Sequence, residues 1–354
     1  MEIKKLTSDA IQLLKKLIET PSFSSEEDQT ALLIEAWFQN YEIEYKRTQH
    51  NVWAVSKDFD ENKPTLLLNS HHDTVKPNRG YTKDPFKAIE EDGKLFGLGS
   101  NDAGGCLVSL IAAFTYFYHQ KDLQYNLVIV ASAEEESSGQ NGLNSMLSII
   151  PKIDVAIVGE PTLMQLAVAE KGLVVFDAKV GGTSGHAAHP NDDNAIYNTI
   201  EVLKWFQAYE FDKISESLGA VKMTVTQINA GKQHNAIPAE VDLVVDVRVN
   251  DQYSNQEIAE ILQKESPCTS ITPRSLRLNS SSIPIEHELV QAGIALGRET
   301  YGSPTLSDQS VLSCPSLKLG PGDSTRSHTA DEFIYLKEIE EGIDLYIELL
   351  KKIF

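Results

Sequence analysis

The chain has 354 residues, of which 41% are hydrophobic and 23% are charged, and this composition is ordinary for globular proteins. Acidic residues outnumber basic ones by 51 to 31, so the net charge is −20 at pH 7. That charge excludes nucleic acid as a default partner, because phosphate binding needs a basic face, and it argues against an anionic membrane surface. The length suffices for two domains, each with its own core.

The cysteines and the N-terminal sequence indicate where the protein works. Cys106, Cys268 and Cys314 are odd in number and widely spaced, which is typical neither of a disulfide framework nor of a thiolate zinc site. The first twenty residues lack the apolar region and small-residue cleavage site of a signal peptide. The longest apolar stretch, from Ala103 to Tyr118, is too short to span a membrane and predicts a buried helix. We therefore expect a cytoplasmic protein.

The first half of the chain alternates short apolar runs with helical patterns. Continuous apolar runs predict strands at Thr65–Asn69, Leu127–Ala133 and Val155–Val158, and helices are predicted at Ala103–Tyr118 and near Asn141–Ile150. Strands that are apolar on both sides are typical of a parallel sheet covered by helices on both faces. The pattern therefore predicts an α/β domain with a mostly parallel sheet.

The pattern changes after Gly172. Alternating apolar and polar residues predict half-buried strands at Val174–Val180, Val221–Ile228 and Val241–Val249, with helices at Ala195–Tyr209 and Asn255–Lys264. This order is typical of a ferredoxin-like α+β sandwich. We expect residues 173–282 to form such a domain, inserted into an α/β domain made of residues 1–172 and 283–354.

Several predicted strands lead into residues that can bind a metal. His71 and Asp73 follow the first apolar strand, and Asp102 precedes the buried helix in the sequence FGLGSNDAGG. Ligands of open α/β sheets bind at the carboxyl ends of the strands. Taken alone, His71 and Asp73 are more typical of a surface turn, and Asp102 more typical of a helix N-cap.

Further carboxylates repeat the pattern. Glu134, Glu135 and Glu136 follow the second strand, Glu160 follows the third, and His328 lies in GPGDSTRSHTADEF before the last helix. Each alone fits a solvated turn. Together, two histidines and several carboxylates suit a pair of divalent ions that share one bridging carboxylate, with zinc first and cobalt or manganese as substitutes. One remaining glutamate could serve as a general base toward water.

At this point the sequence resembles the family of co-catalytic zinc hydrolases that includes acetylornithine deacetylase, succinyl-diaminopimelate desuccinylase and carboxypeptidase G. The resemblance covers essentially the whole chain. It rests on the joint order of NSHHDTVKP, LFGLGSNDAGG, ASAEEESSG, VGEPT, GGTSGHAAHP, NAIPAEVDLVVDVR and GPGDSTRSHTADEF. It implies the zinc-peptidase fold, with residues 173–282 as a lid and dimerisation domain.

The resemblance also implies roles for the candidate residues. Asp102 would bridge the two ions, Asp73 would orient His71, and the Asp102–Ala103 peptide bond would be cis. Glu135 would be the general base, although a slip of one residue would transfer the base to Glu134 and the ligand to Glu135. The implied metal ligands are His71, Asp102, Glu136, Glu160 and His328.

Other implied roles concern the substrate. His186, lent across a homodimer interface, would polarise the scissile carbonyl, and Asn235 and Arg248 would hold the amide and the carboxylate. A structural salt bridge is the alternative for Arg248, and neighbouring His189 fits a plain turn. Gly322 and Thr325 would line the pocket, and Asp308 would support the metal centre. The residues after Asp102 are Ala-Gly-Gly, where the family usually has Met-Lys-Gly.

The implied activity is hydrolysis of an N-acyl amino acid, a small-molecule substrate, with N-acetylornithine first, as in arginine biosynthesis. The enzyme alternatives are acetylcitrulline deacetylase, succinyl-diaminopimelate desuccinylase, the hydrolase that frees lysine from an amino-carrier protein, and a carboxypeptidase or dipeptidase. From different classes come an inactive relative that binds metal or amino acid, and a scaffold that dimerises through the lid sheet.

Overall fold

Two units make up the chain in the computed structural model, which describes residues 2–354. The first unit runs from the N-terminal helix to Val168 and returns over Ser282–Tyr301 and Ser307–Phe354. The second unit comprises Ala169–Ser281 and Gly302–Leu306. The interpretation of residues 173–282 as a lid and dimerisation domain stays a prediction.

The elements up to the end of the first passage through unit 1 are, in chain order, α1 (Ile3–Ile18), α2 (Asp28–Asn40), β1 (Tyr45–Thr48), β2 (Asn51–Val55), β3 (Thr65–His71), β4 (Ile89–Glu91), β5 (Lys94–Phe96), α3 (Gly105–Phe117), β6 (Asn126–Ser132), α4 (Leu143–Met146), β7 (Val155–Val158) and β8 (Leu166–Glu170). The rest of the chain contains β9 (Gly172–Gly181), β10 (Gly185–His186), α5 (Ala195–Ala208), β11 (Lys222–Ala230), β12 (Ala236–Ile237), β13 (Glu240–Val249), α6 (Asn255–Glu265), β14 (Ser270–Pro273), β15 (Ser281–Ser282), α7 (Glu288–Ala295), β16 (Thr300–Ser303), β17 (Ser316–Lys318), β18 (Phe333–Tyr335) and α8 (Leu336–Ile353).

The main sheet is parallel at its centre. Its strand order is β1-β2-β6-β3-β7-β17-β8, and it continues beyond β8 with β15 and β16. Strands β6, β3, β7 and β17 are parallel to one another, whereas β2 pairs antiparallel with β1 and β6, and β8 pairs antiparallel with β17. This confirms the predicted α/β class, with the three predicted strands at the centre.

Successive residues of the central strands face two different cores, as the alternation of side chains in a strand requires. Leu66 and Leu68 of β3 belong to a large core that includes residues of α1, α2, α3, α7 and α8. Leu67, between them, belongs to a smaller core together with Trp53 and Met146. Because each face of the sheet packs against one of these cores, the central strands are buried on both sides. This explains their continuous runs of leucine and valine.

The helix predicted near Asn141–Ile150 is much shorter in the structure. Only Leu143–Met146 is helical. At its start, Gly142 has φ −77° and ψ −146°, which is outside helical geometry, and the preceding Asn141 donates its backbone N–H and side-chain amide to the Glu134 carboxylate. At its end, Pro151 disfavours helical geometry at the residue before it.

The second unit contains a four-stranded antiparallel sheet in the order β11-β13-β9-β14. Helix α5 lies between β9 and β11 in the chain, and α6 lies between β13 and β14. The first and third strands are therefore central, which is the split βαβ arrangement expected from the sequence. Its core includes Val174, Phe176, Val202, Val245 and Leu262.

Among the described residues, none of the helices combines the length and apolar character needed to cross a membrane.

The start of α3 packs closely against neighbouring residues because two glycines lie there, Gly104 just before the helix and Gly105 as its first residue. A Cβ atom on Gly104 would lie 2.5 Å from the carbonyl oxygen of Gly99 and 2.6 Å from Cδ1 of Leu14. The backbone of Gly104 is right-handed helical, so its conformation would accept other residues and only the lack of space requires glycine. The lysine that the family usually has here does not fit this packing.

We therefore predict that Gly104→Ala lowers the free energy of unfolding by about 1–3 kcal/mol, because the added methyl overpacks this contact. Urea denaturation followed by circular dichroism measures the change. Gly80→Ala is the control. A Cβ atom on Gly80 would have its nearest neighbouring atoms 3.1 Å away, and Gly80 is exposed. An equal loss in both variants would contradict the explanation.

Candidate metal centre

The carboxyl ends of three neighbouring parallel strands bring the predicted residues together. Strand β3 ends at His71, β6 leads into Glu134–Glu136, and β7 leads into Glu160. Because β3 lies between β6 and β7, His71 lies at the middle of the group. The side chain of His71 is buried, and its Nε2 atom lies 3.9 Å from Glu135 Oε2 and 4.0 Å from Glu160 Oε1.

Asp102 lies between the two histidines. Its Oδ1 atom is 3.3 Å from His71 Nε2, and its Oδ2 atom is 3.7 Å from His328 Nε2. The alternative N-cap role does not describe this residue, since α3 begins at Gly105 and none of the described side chains caps its N-terminus. The Asp102–Ala103 peptide bond is cis, as the resemblance implied.

The predicted ligands form two halves on either side of Asp102. His71 and Glu160 lie on one side, and His328 contacts Glu136 on the other at 3.0 Å between Nε2 and Oε2. Ligand atoms of His71, Asp102 and Glu136 all lie within 4.8 Å of one another. One carboxylate with an imidazole on each side is the arrangement that a bridging ligand needs.

Asp73 connects His71 to the glutamate loop. Its Oδ1 accepts the backbone N–H of Glu135 at 3.0 Å, and its Oδ2 accepts that of Glu136 at 3.1 Å. The Ser24 hydroxyl donates to Oδ2 at 2.7 Å. His71 Nδ1 lies 3.0 Å from the backbone carbonyl oxygen of Asp73 and 3.4 Å from its Oδ1. Asp73 therefore sets both the imidazole orientation and the path of the loop.

The three glutamates of this loop have different surroundings. Burial raises the pKa of Glu135 well above its ordinary value, and this effect exceeds the opposing effect of the nearby His71 imidazole. Glu136 contacts His328. Glu134 is held by Ser25 and Asn141, whose hydrogen bonds outweigh burial and lower the pKa of its carboxyl group. These contacts favour Glu135 as base and Glu136 as ligand, and that assignment stays a prediction.

Burial and mutual repulsion shift the other acids of the centre. Burial and the nearby charge of Asp102 raise the pKa of Glu160 to about 8. Burial raises the pKa of Asp308 to about 6, even though Ser132 donates to it at 2.6 Å. A hydrogen bond to Glu136 raises the pKa of His328 to about 9. The repulsion among these carboxylates would be relieved by cations.

The donor set fits a pair of divalent metal ions. It offers two imidazoles and three carboxylates, a mixture that suits zinc, cobalt and manganese better than calcium or magnesium. The predicted ligands all belong to the first unit and lie around Asp102. The identity of the metal stays a prediction.

Glu332 supports this centre, although it was not among the site residues predicted from the sequence. It is buried, and its carboxylate accepts the backbone N–H groups of Gly99, Asn101 and Asp102 at 3.1, 2.8 and 2.9 Å. Burial, with the charge of Asp102, raises the pKa of Glu332 to about 8. In the sequence, Glu332 could have been noticed from its position four residues after His328 in HTADEF. It was not selected, because it does not follow a predicted strand.

Comparison with known proteins identifies the family. The profile of peptidase family M20/M25/M40 matches residues 67–352, which is most of the chain. The chain belongs to this family. It is 28% identical over 371 residues to an acetylornithine deacetylase of Shigella sonnei (strain Ss046), covering 96% of both chains.

Two solved structures show the same fold at low identity. A tripeptidase from Staphylococcus aureus subsp. aureus Mu50 superposes with a TM-score of 0.76 at 17% identity and covers 98% of both chains. A dinuclear metal-binding peptidase of the M20 family from Bacillus subtilis superposes with a TM-score of 0.75 at 15% identity, again over 98% of both chains. The protein is therefore an M20-type metallohydrolase, and its fold is the one that the resemblance implied.

The structure places two of the predicted substrate residues at a short two-stranded sheet of the second unit, formed by β10 and β12. His186 of β10 pairs with Ala236 of β12, and the N–H of Ala187 donates to the Asn235 carbonyl at 3.0 Å. His186 and Asn235 are both exposed. The rings of His186 and His189 are 5.7 Å apart. The substrate roles of His186 and Asn235 stay predictions.

Arg248, on β13, makes the salt bridge that was the alternative to its substrate role. Its Nε and Nη2 atoms donate to the two carboxylate oxygens of Asp246 at 2.8 and 3.1 Å. The side chain is about one-third exposed, so a substrate carboxylate would compete with Asp246 for this fork. The clamp role of Arg248 stays a prediction.

Gly322 and Thr325 lie in the loop before His328. Gly322 has a φ of +89°, and a Cβ atom there would lie 2.5 Å from Oδ1 of Asn101, the residue before Asp102. Asp323 accepts both the N–H and the hydroxyl of Thr325 at 2.8 Å. Glycine at position 322 thus allows the loop to approach the metal centre.

We predict that Glu332→Gln lowers the free energy of unfolding by about 1–3 kcal/mol and weakens metal binding, because one amide oxygen replaces two carboxylate oxygens facing three N–H donors. Urea denaturation and calorimetric metal titration measure the two effects. Glu341→Gln is the control, because Glu341 is exposed in an ion pair with Lys337 and should change stability by no more than roughly 0.5 kcal/mol. Unchanged metal affinity in Glu332→Gln would contradict the supporting role.

Proposed function

We propose that this M20 hydrolase removes the acyl group from an N-acyl amino acid, with N-acetylornithine giving ornithine and acetate as the first choice. The observation that carries the proposal is Asp102 between two histidines, with the buried Glu135 beside His71. The substrate choice is supported by 28% identity to an acetylornithine deacetylase over nearly the full length of both chains.

The proposed metal ligands are His71, Asp102, Glu136, Glu160 and His328, holding two zinc ions for which cobalt or manganese can substitute. When bound, such ions polarise the amide carbonyl and make water more acidic. Asp73 fixes the ring of His71, and Glu332 fixes the backbone at Asp102. The chain therefore supplies a rigid frame that needs little rearrangement during the reaction.

Glu135 performs the proton transfers in this proposal. As water adds to the amide carbonyl carbon, Glu135 accepts the proton that water loses, and it then delivers that proton to the nitrogen of the leaving amine. The C–N bond breaks, and the products are a carboxylate and a free amino acid.

The second unit would supply substrate contacts. In this proposal His186 donates a hydrogen bond to the developing oxyanion in the site of a second copy, while Asn235 and Arg248 hold the amide and the α-carboxylate. This division of labour requires a homodimer.

An exposed edge of the second unit supports the proposed homodimer. Strand β11 is nine residues long and lies at the edge of its sheet, and Ile228 on it is 55% exposed. Helix α5, which packs against β11, exposes Ile196, Tyr197 and Ile200. A long edge strand with exposed apolar residues favours pairing with another strand, and we propose that a second copy provides it.

The first experiment measures free amine released from N-acetylornithine by the zinc-loaded protein, with and without a chelator. We expect release that the chelator abolishes. A metal-loaded protein with no activity on N-acetylornithine would contradict the substrate choice, and acetylcitrulline, succinyl-diaminopimelate, carrier-linked lysine and dipeptides would then be compared in the same assay. No activity on any of them would favour the inactive relative.

The general base is tested with two isosteric variants. We predict that Glu135→Gln lowers kcat by about 100- to 10,000-fold while both metal ions remain bound, because only the proton acceptor is lost. Glu134→Gln should have a much smaller effect on kcat, since Glu134 is occupied by Ser25 and Asn141. The opposite order of effects would show that the base is Glu134.

The dimer is tested by light scattering after gel filtration. We predict that Ile228→Lys converts the dimer to a monomer, because it places a charge at the centre of the proposed contact. The control is Ile214→Lys, which is 70% exposed and lies outside β11 and α5, and it should leave the dimer intact. A monomeric wild-type protein would overturn the proposal.

A further inference from the structure

Arg326 lies two residues before His328, and its side chain bonds to Glu338 in the first turn of the last helix, α8. Its Nη1 and Nη2 atoms donate to the two carboxylate oxygens of Glu338 at 2.7 and 3.0 Å. Both side chains are mostly buried. The same carboxylate accepts the backbone N–H of Tyr335 at 3.1 Å, so one group joins the loop, the end of β18 and the first turn of α8.

Two aromatic rings reinforce this contact. The guanidinium carbon of Arg326 lies 4.8 Å from the ring centre of Phe333 and 5.1 Å from that of Tyr335. A planar guanidinium is suited both to a two-pronged bond with a carboxylate and to stacking on aromatic faces, whereas lysine can make neither in full. The side chain of Arg326 therefore has a single well-defined position.

The main chain of Arg326 closes the turn that contains His328. Its carbonyl accepts the N–H of Thr329 at 3.4 Å and the hydroxyl of Thr329 at 2.7 Å. Ser327 has φ −62° and ψ 136°, and His328 has φ +59°. These angles match a type II turn, in which the third residue is usually glycine because its φ is positive.

His328 needs outside support for this conformation. A positive φ is unfavourable for a residue with a side chain, and the imidazole itself is 53% exposed, so few packing contacts hold it. The hydrogen bond from Asn78 to the His328 carbonyl, at 3.2 Å, lies in an exposed region. Two largely buried contacts hold this turn, the side-chain hydrogen bond between Ser327 and Asp102 and the Arg326–Glu338 pair.

We propose that Arg326 is a positioning residue, which holds the turn so that His328 faces Glu136 and Asp102. The inference rests on the proposed metal ligands and adds a residue that touches neither metal nor substrate. Loss of Arg326 should affect only one of the two proposed ion sites, because Arg326 supports only the half that contains Glu136 and His328. The half with His71 and Glu160 is built from the ends of β3 and β7 and is independent of this turn.

Calorimetric titration of the metal-free protein with Zn²⁺ tests this inference. We expect Arg326→Met to weaken the binding of one of the two ions by 10- to 100-fold, the usual cost of losing a residue that supports a metal ligand, and to change the other by less than threefold. Arg326→Lys should recover only part of the loss, because lysine cannot make the two-pronged bond. Lys337→Met is the control and should leave both affinities unchanged, since its ion pair with Glu341 is exposed.

A second variant guards against a general folding defect. Glu338→Gln keeps one oxygen for the Tyr335 N–H and replaces the other acceptor of Arg326 with an amide NH2 group, so only one of the two bonds to the guanidinium can remain. We expect the same selective loss with a smaller size. Equal weakening of both ions, or no weakening, in variants with a wild-type circular dichroism spectrum would overturn the role of Arg326. A wild-type protein that binds fewer than two ions would instead overturn the proposed metal centre.

Discussion

The concentration of negative charge at one edge of the main sheet is the constraint on which the rest of the structure depends. Asp102, Glu135, Glu136 and Glu160 approach one another where water is largely excluded, and burial together with the charge of Asp102 raises the pKa of Glu160 to about 8. Parallel strands make this possible because neighbouring strands end at the same edge. The rest of the centre orients these acids so that a cation can lie among them.

The acids are oriented mainly by hydrogen bonds to the backbone. Asp73 holds the glutamate loop through two N–H groups, and Glu332 holds the Asp102 loop through three. Such bonds fix the chain rather than a single rotamer, so they resist the repulsion among the side chains. The turn at His328 is different, because part of its support comes from the side chain of Arg326.

The sequence predicted the parts of the site that follow from strand ends. His71 and Glu160 were found because each follows a continuous apolar run, and the alternation of two cores explains why those runs are continuous. Glu332 was missed because its carboxylate acts on the distant backbone around Asp102, and such a contact leaves no periodic pattern. Arg326 was missed because its partner Glu338 lies in the following helix and nothing in the local pattern pairs the two residues. The helix near Asn141–Ile150 was overestimated because the apolar spacing continues through Gly142, whose backbone is not helical.

Asp73 also gives the two halves of the centre a common support. Each of its oxygens holds one glutamate of the loop, and the same carboxylate faces the imidazole of His71. Asp73 therefore lies beside His71 of one half and also fixes the loop that carries Glu136 of the other. Arg326, in contrast, contacts only the segment that carries His328 and leads into the last helix. The two supports thus differ in range, because one carboxylate reaches both halves of the proposed centre and the guanidinium reaches a single turn.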